Sequence, residues 1–188
     1  MVVVSHSVYI DAPVERVFAL MADPATRTRL NPQVSAGSAK IEGGGPLRVG
    51  SICHFRFFVR GRPVEYRSRV HELEPLRRIV SLAEAAVPFE VCIETEPDGS
   101  GTRLTQTERF EPTDAMLDDA IPDAHSNAVV KLAQRLYLFF DTDKALELRQ
   151  QQEKILADRL ETNMDTWLTA IKRHLEERYA ASSDSRFS

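Results

Sequence analysis

Tyr66, Ser68, Gln106 and Glu108 fall at alternating positions in two strand-like stretches whose intervening residues are mostly charged. In an extended strand, residues two apart share a face. Tyr66 and Ser68 therefore share a face with Val64 and Val70, opposite Glu65, Arg67, Arg69 and His71, while Gln106 and Glu108 lie in register with Leu104 and Phe110. The face that carries them is apolar with a few hydrogen-bonding groups set into it. Glu108 is the costly member, because an unpaired carboxylate in a dry core takes up a proton rather than stay charged. Two arrangements resolve that cost. Either a cavity lets water or a ligand satisfy these groups, or the strand is bulged and Glu108 faces solvent.

Other chemistry is excluded by residue type and spacing. The histidines are His6, His54, His71, His125 and His174, and none is placed with another at the spacing of helical metal ligands. Cys53 is on the apolar face of its strand and Cys92 on the opposite face of its own, so neither a disulfide nor a paired redox role is expected. Gly43 to Gly45 is not followed by Lys-Ser/Thr, so it does not cradle a phosphate, and no serine sits in a nucleophile elbow. Neither a metal nor a cofactor is expected. The net charge of −4 and the arginines near Arg60 to Arg78, interleaved with Glu65, Glu72 and Glu74, describe a solvated face rather than a nucleic-acid surface. Met1 to Ile10 holds no Lys or Arg and no long apolar run, which predicts no secretory signal, no integral membrane association and a cytoplasmic protein.

The 188 residues suit one domain with room for a core and a cavity. Val2 to Ile10, rich in β-branched residues, is a first strand with Val4, His6, Val8 and Ile10 on one face. Asp11-Ala12-Pro13 and Asp23-Pro24 each start a short helix. From Val34 to Glu111, strand-like runs alternate with turn sequences such as Glu74-Pro75 and Asp98-Gly99-Ser100-Gly101, which requires an antiparallel meander. Cys53, Phe55, Phe57 and Val59 share one face, as do Phe89, Val91 and Ile93. Beyond Pro112 the pattern is helical. Val129, Leu132, Leu136 and Phe140 form one stripe, and Leu156, Leu160, Met164, Trp167, Ile171 and Leu175 form a longer one. The expected class is α+β, a six- to seven-stranded antiparallel sheet curved around a long C-terminal helix. One domain spans residues 1–180, with a helical insertion at about 113–150 and a flexible tail from Ala181 to Ser188.

The run Ile10-Asp11-Ala12-Pro13-Val14-Glu15-Arg16-Val17-Phe18 followed by Asp23-Pro24 resembles the opening of the START-like (SRPBCC) superfamily, which includes polyketide cyclase/dehydrase and lipid-transport proteins. Val49-Gly50-Ser51, Val70-His71-Glu72-Leu73-Glu74-Pro75, Gly101-Thr102-Arg103-Leu104-Thr105 and Trp167-Leu168 match that layout as well. The resemblance covers residues 1–111 and the last helix. It implies a helix-grip fold with the first strand antiparallel to the last, so that His6 neighbours Gln106 or Glu108. A His6–Glu108 pair would supply an acid or base near neutral pH; the alternative is a histidine satisfied in the core.

The leading expectation is binding or carriage of a hydrophobic small molecule, lipid- or polyketide-like. Phe57, Phe89, Phe110 and Trp167 would supply the walls, and Tyr66, Ser68, Gln106 and Glu108 the orientation. The first alternative is a cyclase- or dehydratase-type enzyme using Glu108 and His6. The second is a protein-interaction module through the helical insertion, whose Leu136 to Phe140 run is unusually apolar and suits a partner surface, a homodimer included, or burial at the sheet mouth.

Overall fold

A computed structural model describes residues 1–59, 61–85, 87–120 and 142–184. The element order is β1 (Val2–Ile10), α1 (Val14–Met21), α2 (Pro24–Arg29), β2 (Ser35–Ile41), β3 (Ile52–Val59), β4 (Arg62–Glu74), β5 (Arg78–Glu84), β6 (Phe89–Asp98), β7 (Gly101–Phe110), α3 (Asp114–Ala120) and α4 (Thr142–Asp184). The seven strands form one antiparallel sheet in the order β1-β7-β6-β5-β4-β3-β2. This is the expected helix-grip arrangement.

Local chemistry sets the boundaries. Pro13 stands at the N-cap of α1 in an extended conformation, one position earlier than a first-turn proline. Asp23 caps α2, its Oδ1 accepting from the amides of Ala25 and Thr26, and Pro24 fills the first helical position. Two register shifts, between Ser35 and Ser38 in β2 and between Val70 and Glu72 in β4, accentuate the bend of the sheet. At Gly37 a Cβ would lie 2.9 Å from Val34 Cγ1 and 3.0 Å from Thr28 Cγ2, so glycine is what lets α2 settle against β2.

β1 pairs with β7 from Val2 opposite Phe110 to Ile10 opposite Thr102. α4 crosses the inner face and is tied to the end of β1: Lys172 Nζ donates to the Tyr9 carbonyl at 2.7 Å, and Glu176 Oε1 accepts from the Asp11 amide at 2.9 Å. Ile10, Val17, Met21, Ile93, Leu104, Leu168 and Ile171 are all at most 1 % exposed and form the centre of the core. Each such aliphatic side chain contributes about 1.5–3 kcal/mol by leaving water. No helix of the described residues is long and apolar enough to cross a membrane.

Two sequence-based boundaries change. Residues 142–150, assigned to the insertion, belong to α4, and the tail expected from Ala181 is helical through Asp184. The physical reason is that neither glycine nor proline occurs from Thr142 to Asp184, and Ala, Leu, Glu, Lys, Gln and Arg dominate, so nothing interrupts the helix. The start of the insertion forms α3, and residues 121–141, with His125, the Val129 to Phe140 stripe and the Leu136 to Phe140 run, lie outside the described residues.

Candidate functional site

Between the sheet and α4 the interior divides. Toward β3, β4 and the β6/β7 end that carries Phe89 and Phe110, the inner face is not filled by helix, and a cavity of about 590 Å³ remains. Phe55 and Phe57 of β3, Val64 and Tyr66 of β4, Phe89 and Val91 of β6, and Gln106, Glu108 and Phe110 of β7 form its curved wall. Arg27, Thr28 and Asn31 close it from the α2 side, Leu160 and Trp167 from α4, and Met116 from α3. The aromatic rings brace one another. Phe55 stacks on Tyr66 at 4.9 Å between centroids, and Phe57 and Phe89 meet Tyr66 edge-on at 6.0 and 5.3 Å. Strand pairing places Phe55 opposite Tyr66, so the stack follows directly from the β3–β4 register.

The polar groups gather at one pole. Gln106 Nε2 donates to Glu108 Oε1 at 2.8 Å along β7, while the buried Gln106 Oε1 has no partner among the described residues. Burial pushes the Glu108 carboxyl above its ordinary value, against the opposing pull of the Gln106 hydrogen bond and the Arg27 charge. Burial likewise pushes the Tyr66 hydroxyl up to about 12, although Arg27 works the other way, so Tyr66 remains a neutral donor. Arg27 is partly buried, with the cavity on one side and the small void beside Cys53 and Ser81 on the other. Burial lowers its pKa, yet a guanidinium starts so high that it stays charged. One of its terminal nitrogens donates to the Met21 carbonyl at 3.3 Å, and its own carbonyl accepts from Trp167 Nε1 at 3.2 Å.

A profile of the family described as "Polyketide cyclase / dehydrase and lipid transport" matches residues 1–137. The chain belongs to that family. No curated protein sequence matches it. Among solved structures, it is similar to the Zhui aromatase/cyclase from Streptomyces sp. R1128, at a TM-score of 0.60 and 18 % identity, with 94 % of each chain covered. It is also similar to TTHA0849 from Thermus thermophilus, at a TM-score of 0.58 and 20 % identity, covering 96 % of this chain and 99 % of that one. At these identities the likeness establishes a shared helix-grip fold.

Within this cyclase/dehydrase-family fold, the side chains singled out from the sequence fall into two groups. Tyr66, Gln106, Glu108, Phe57, Phe89, Phe110 and Trp167 all line the cavity. Ser68 does not; it lines a separate void of about 10 Å³, room for about one water, together with Cys53, Ser81 and the other side of Arg27. The His6–Glu108 pair is not formed. His6 is opposite Gln106 and Glu108 opposite Val4, and His6 Nε2 lies 3.0 Å from Asp165 Oδ1 of α4. Register places the histidine two pairs away from the one that holds Glu108, and the passing helix offers Asp165.

Arg27 escaped the sequence reading because α2 is only six residues long and its Ala-Thr-Arg-Thr-Arg run looks solvated. A signal was present: Pro24, Arg27, Thr28 and Asn31 recur at helical spacing, and this is the face turned inward. Cys92, placed on the outer face, is nevertheless 2 % exposed and has Arg78 and Arg109 beside it. Among the described residues no group of three or more His, Cys, Asp or Glu is arranged to hold a metal ion.

Proposed function

We propose that the protein binds a hydrophobic small molecule, lipid- or polyketide-like, inside the cavity and carries it. The observation that supports this most directly is the hollow itself. Its volume, about 590 Å³, lies within the range of about 300–1,000 Å³ typical of small-molecule sites, and its wall is largely aromatic and aliphatic with a few polar groups set into it. Phe57, Phe89, Phe110 and Trp167 would contact the apolar body, and Tyr66 and Gln106 would fix its orientation. Thermal unfolding against a panel of naphthalene- and anthracene-sized compounds tests the reading. A binder gains stability that grows with ligand concentration, about 2.7 kcal/mol at a hundredfold excess over Kd, and Val91→Trp, which fills the hollow, removes that gain. Equal gains in the filled variant and the native protein would refute it.

One observation favours a second reading, an enzyme of the cyclase or dehydratase kind. Glu108 is a buried carboxyl held toward its neutral form within electrostatic reach of Arg27 and Tyr66, as a general acid requires. In a dehydration, Glu108 would give its proton to the β-hydroxyl of a β-hydroxy ketone, which leaves as water. The carboxylate would then take up the α-proton, restoring the acid. Turnover of such a substrate that disappears in Glu108→Gln while binding persists would establish the enzyme; binding without turnover leaves the carrier.

A further inference from the structure

We propose that Arg27 makes the cavity selective for an amphipathic acid, an apolar body ending in a carboxylate that docks at the polar pole. The inference rests on the cavity being a ligand site and adds the chemistry of the ligand's head.

The case begins with an inventory of donors and charges. A guanidinium carries five N–H groups and does not give up its proton. Met21 O takes one N–H of Arg27, and among the described residues no carboxylate approaches within the 4.0 Å of an ion pair. Glu108 on the cavity wall and Asp23 at the head of α2 are the acids within electrostatic reach, but the Glu108 Oε1 is engaged by Gln106 and its burial favours the uncharged form, while Asp23 accepts from the Ala25 and Thr26 amides and the Thr26 hydroxyl. The Tyr66 hydroxyl lines the same cavity and forms no hydrogen bond to any described residue, which adds a further donor. Cys53, on the far side of Arg27, is also held toward its neutral thiol by burial. The pole thus offers a fixed positive charge and, with the unpartnered Gln106 Oε1 counted as an acceptor, still more donors than acceptors.

A partly buried cation with no carboxylate in ion-pair contact is under-satisfied. A carboxylate answers the charge and the donors together, because its two oxygens match the guanidinium fork. The rings of Phe57 and Phe89, which meet Tyr66, and of Phe110 on the same strand face as Glu108 accept only an apolar remainder. Neutral lipids satisfy the wall and leave the arginine unanswered; small anions such as acetate satisfy the arginine and leave the wall empty. Only a molecule with both ends fits both halves.

The isosteric pair 2-naphthoate and 2-naphthamide separates charge from shape. Isothermal titration of the full-length chain should show naphthoate binding roughly tenfold or more tighter than naphthamide. Arg27→Gln should erase that preference, since it removes the charge-assisted contact and leaves the wall. Because Arg27 also holds the Met21 carbonyl, the variant is paired with a measurement on the native protein. The 15N resonance of Arg27 Nε should move on saturation with naphthoate and stay in place with naphthamide. Equal affinities in the native protein, or an unmoved Arg27 resonance in the naphthoate complex, overturn the inference and leave a cavity for neutral ligands, with Glu108 as the internal counter-charge. Binding of neither compound overturns the cavity reading itself, and the inference with it.

Discussion

The two halves of the inner sheet face share β6 and β7 and are crossed by the same helix, yet one is solid and the other hollow. In the solid half, Ile10, Ile93 and Leu104 meet Leu168 and Ile171 of α4 and Val17 and Met21 of α1. In the hollow half, Phe55, Phe57, Tyr66 and Phe89 meet one another. The difference lies in what covers them. α1 is an amphipathic helix whose apolar side presses Val17, Phe18 and Met21 into the sheet. α2 is a short polar turn that turns Arg27 and Asn31 inward instead. A cavity needs no special strand; it needs a cover that stops short of the sheet, and side chains stiff enough to hold their places without it.

That contrast can be broken in its strongest place first. Leu168 is fully buried in the solid half, so Leu168→Ala should cost about 2–5 kcal/mol in denaturant unfolding. The extra stability conferred by a saturating apolar ligand should be unchanged. Phe89 is half-buried and already borders empty space. Phe89→Ala should cost only about 1–2 kcal/mol, below the range for a ring packed on all sides, while weakening ligand binding markedly. Reversal of these two patterns would mean that the halves are not distinct.

Glu108 sharpens the comparison through pH. Its folded-state pKa is raised from an ordinary value of 4.5. Below that value the group is neutral in both the folded and unfolded chains and costs nothing. As pH rises toward the folded pKa, the unfolded chain releases the proton and the folded one keeps it, so stability falls with pH. Glu108→Gln should therefore gain about 1 kcal/mol at neutral pH and flatten this part of the stability–pH curve; an unchanged curve would place the carboxylate in water. The smallest effect belongs to the outer face. Arg56, bridged to Glu65 at 3.1 Å with both side chains well exposed, should lose less than about 0.5 kcal/mol on change to Ala, with no effect on ligand affinity.

How much of this was legible in the sequence follows the range of the forces involved. Period-2 alternation put Tyr66, Gln106 and Glu108 on the inner face, and the structure keeps all three there, because one face of each strand must leave water whatever its neighbours are. The long stripe from Leu156 to Leu175 was visible for the same reason, although Leu168, as fully buried as Ile171, sits one position after Trp167 where the spacing skipped it. Partnerships were harder. His6 and Glu108 share a face, but a pair of strands fixes neighbours residue by residue, and the helix that supplies Asp165 comes from 159 residues further along the chain. Arg27 was hidden because the helical spacing of Pro24, Arg27, Thr28 and Asn31 is polar and short, which does not by itself say which face is buried, and its position depends on how α2 is held against β2 at Gly37.

The central claim, an interior that admits an apolar guest, is tested most directly by the crystal structure of the protein with 2-bromonaphthalene, located by the anomalous scattering of its bromine. The account predicts a peak inside the sheet, between Phe57, Phe89 and Trp167, with the surrounding rings close to the positions described above. A cavity closed over by those rings, with bromine only on the outer surface or nowhere, would contradict it.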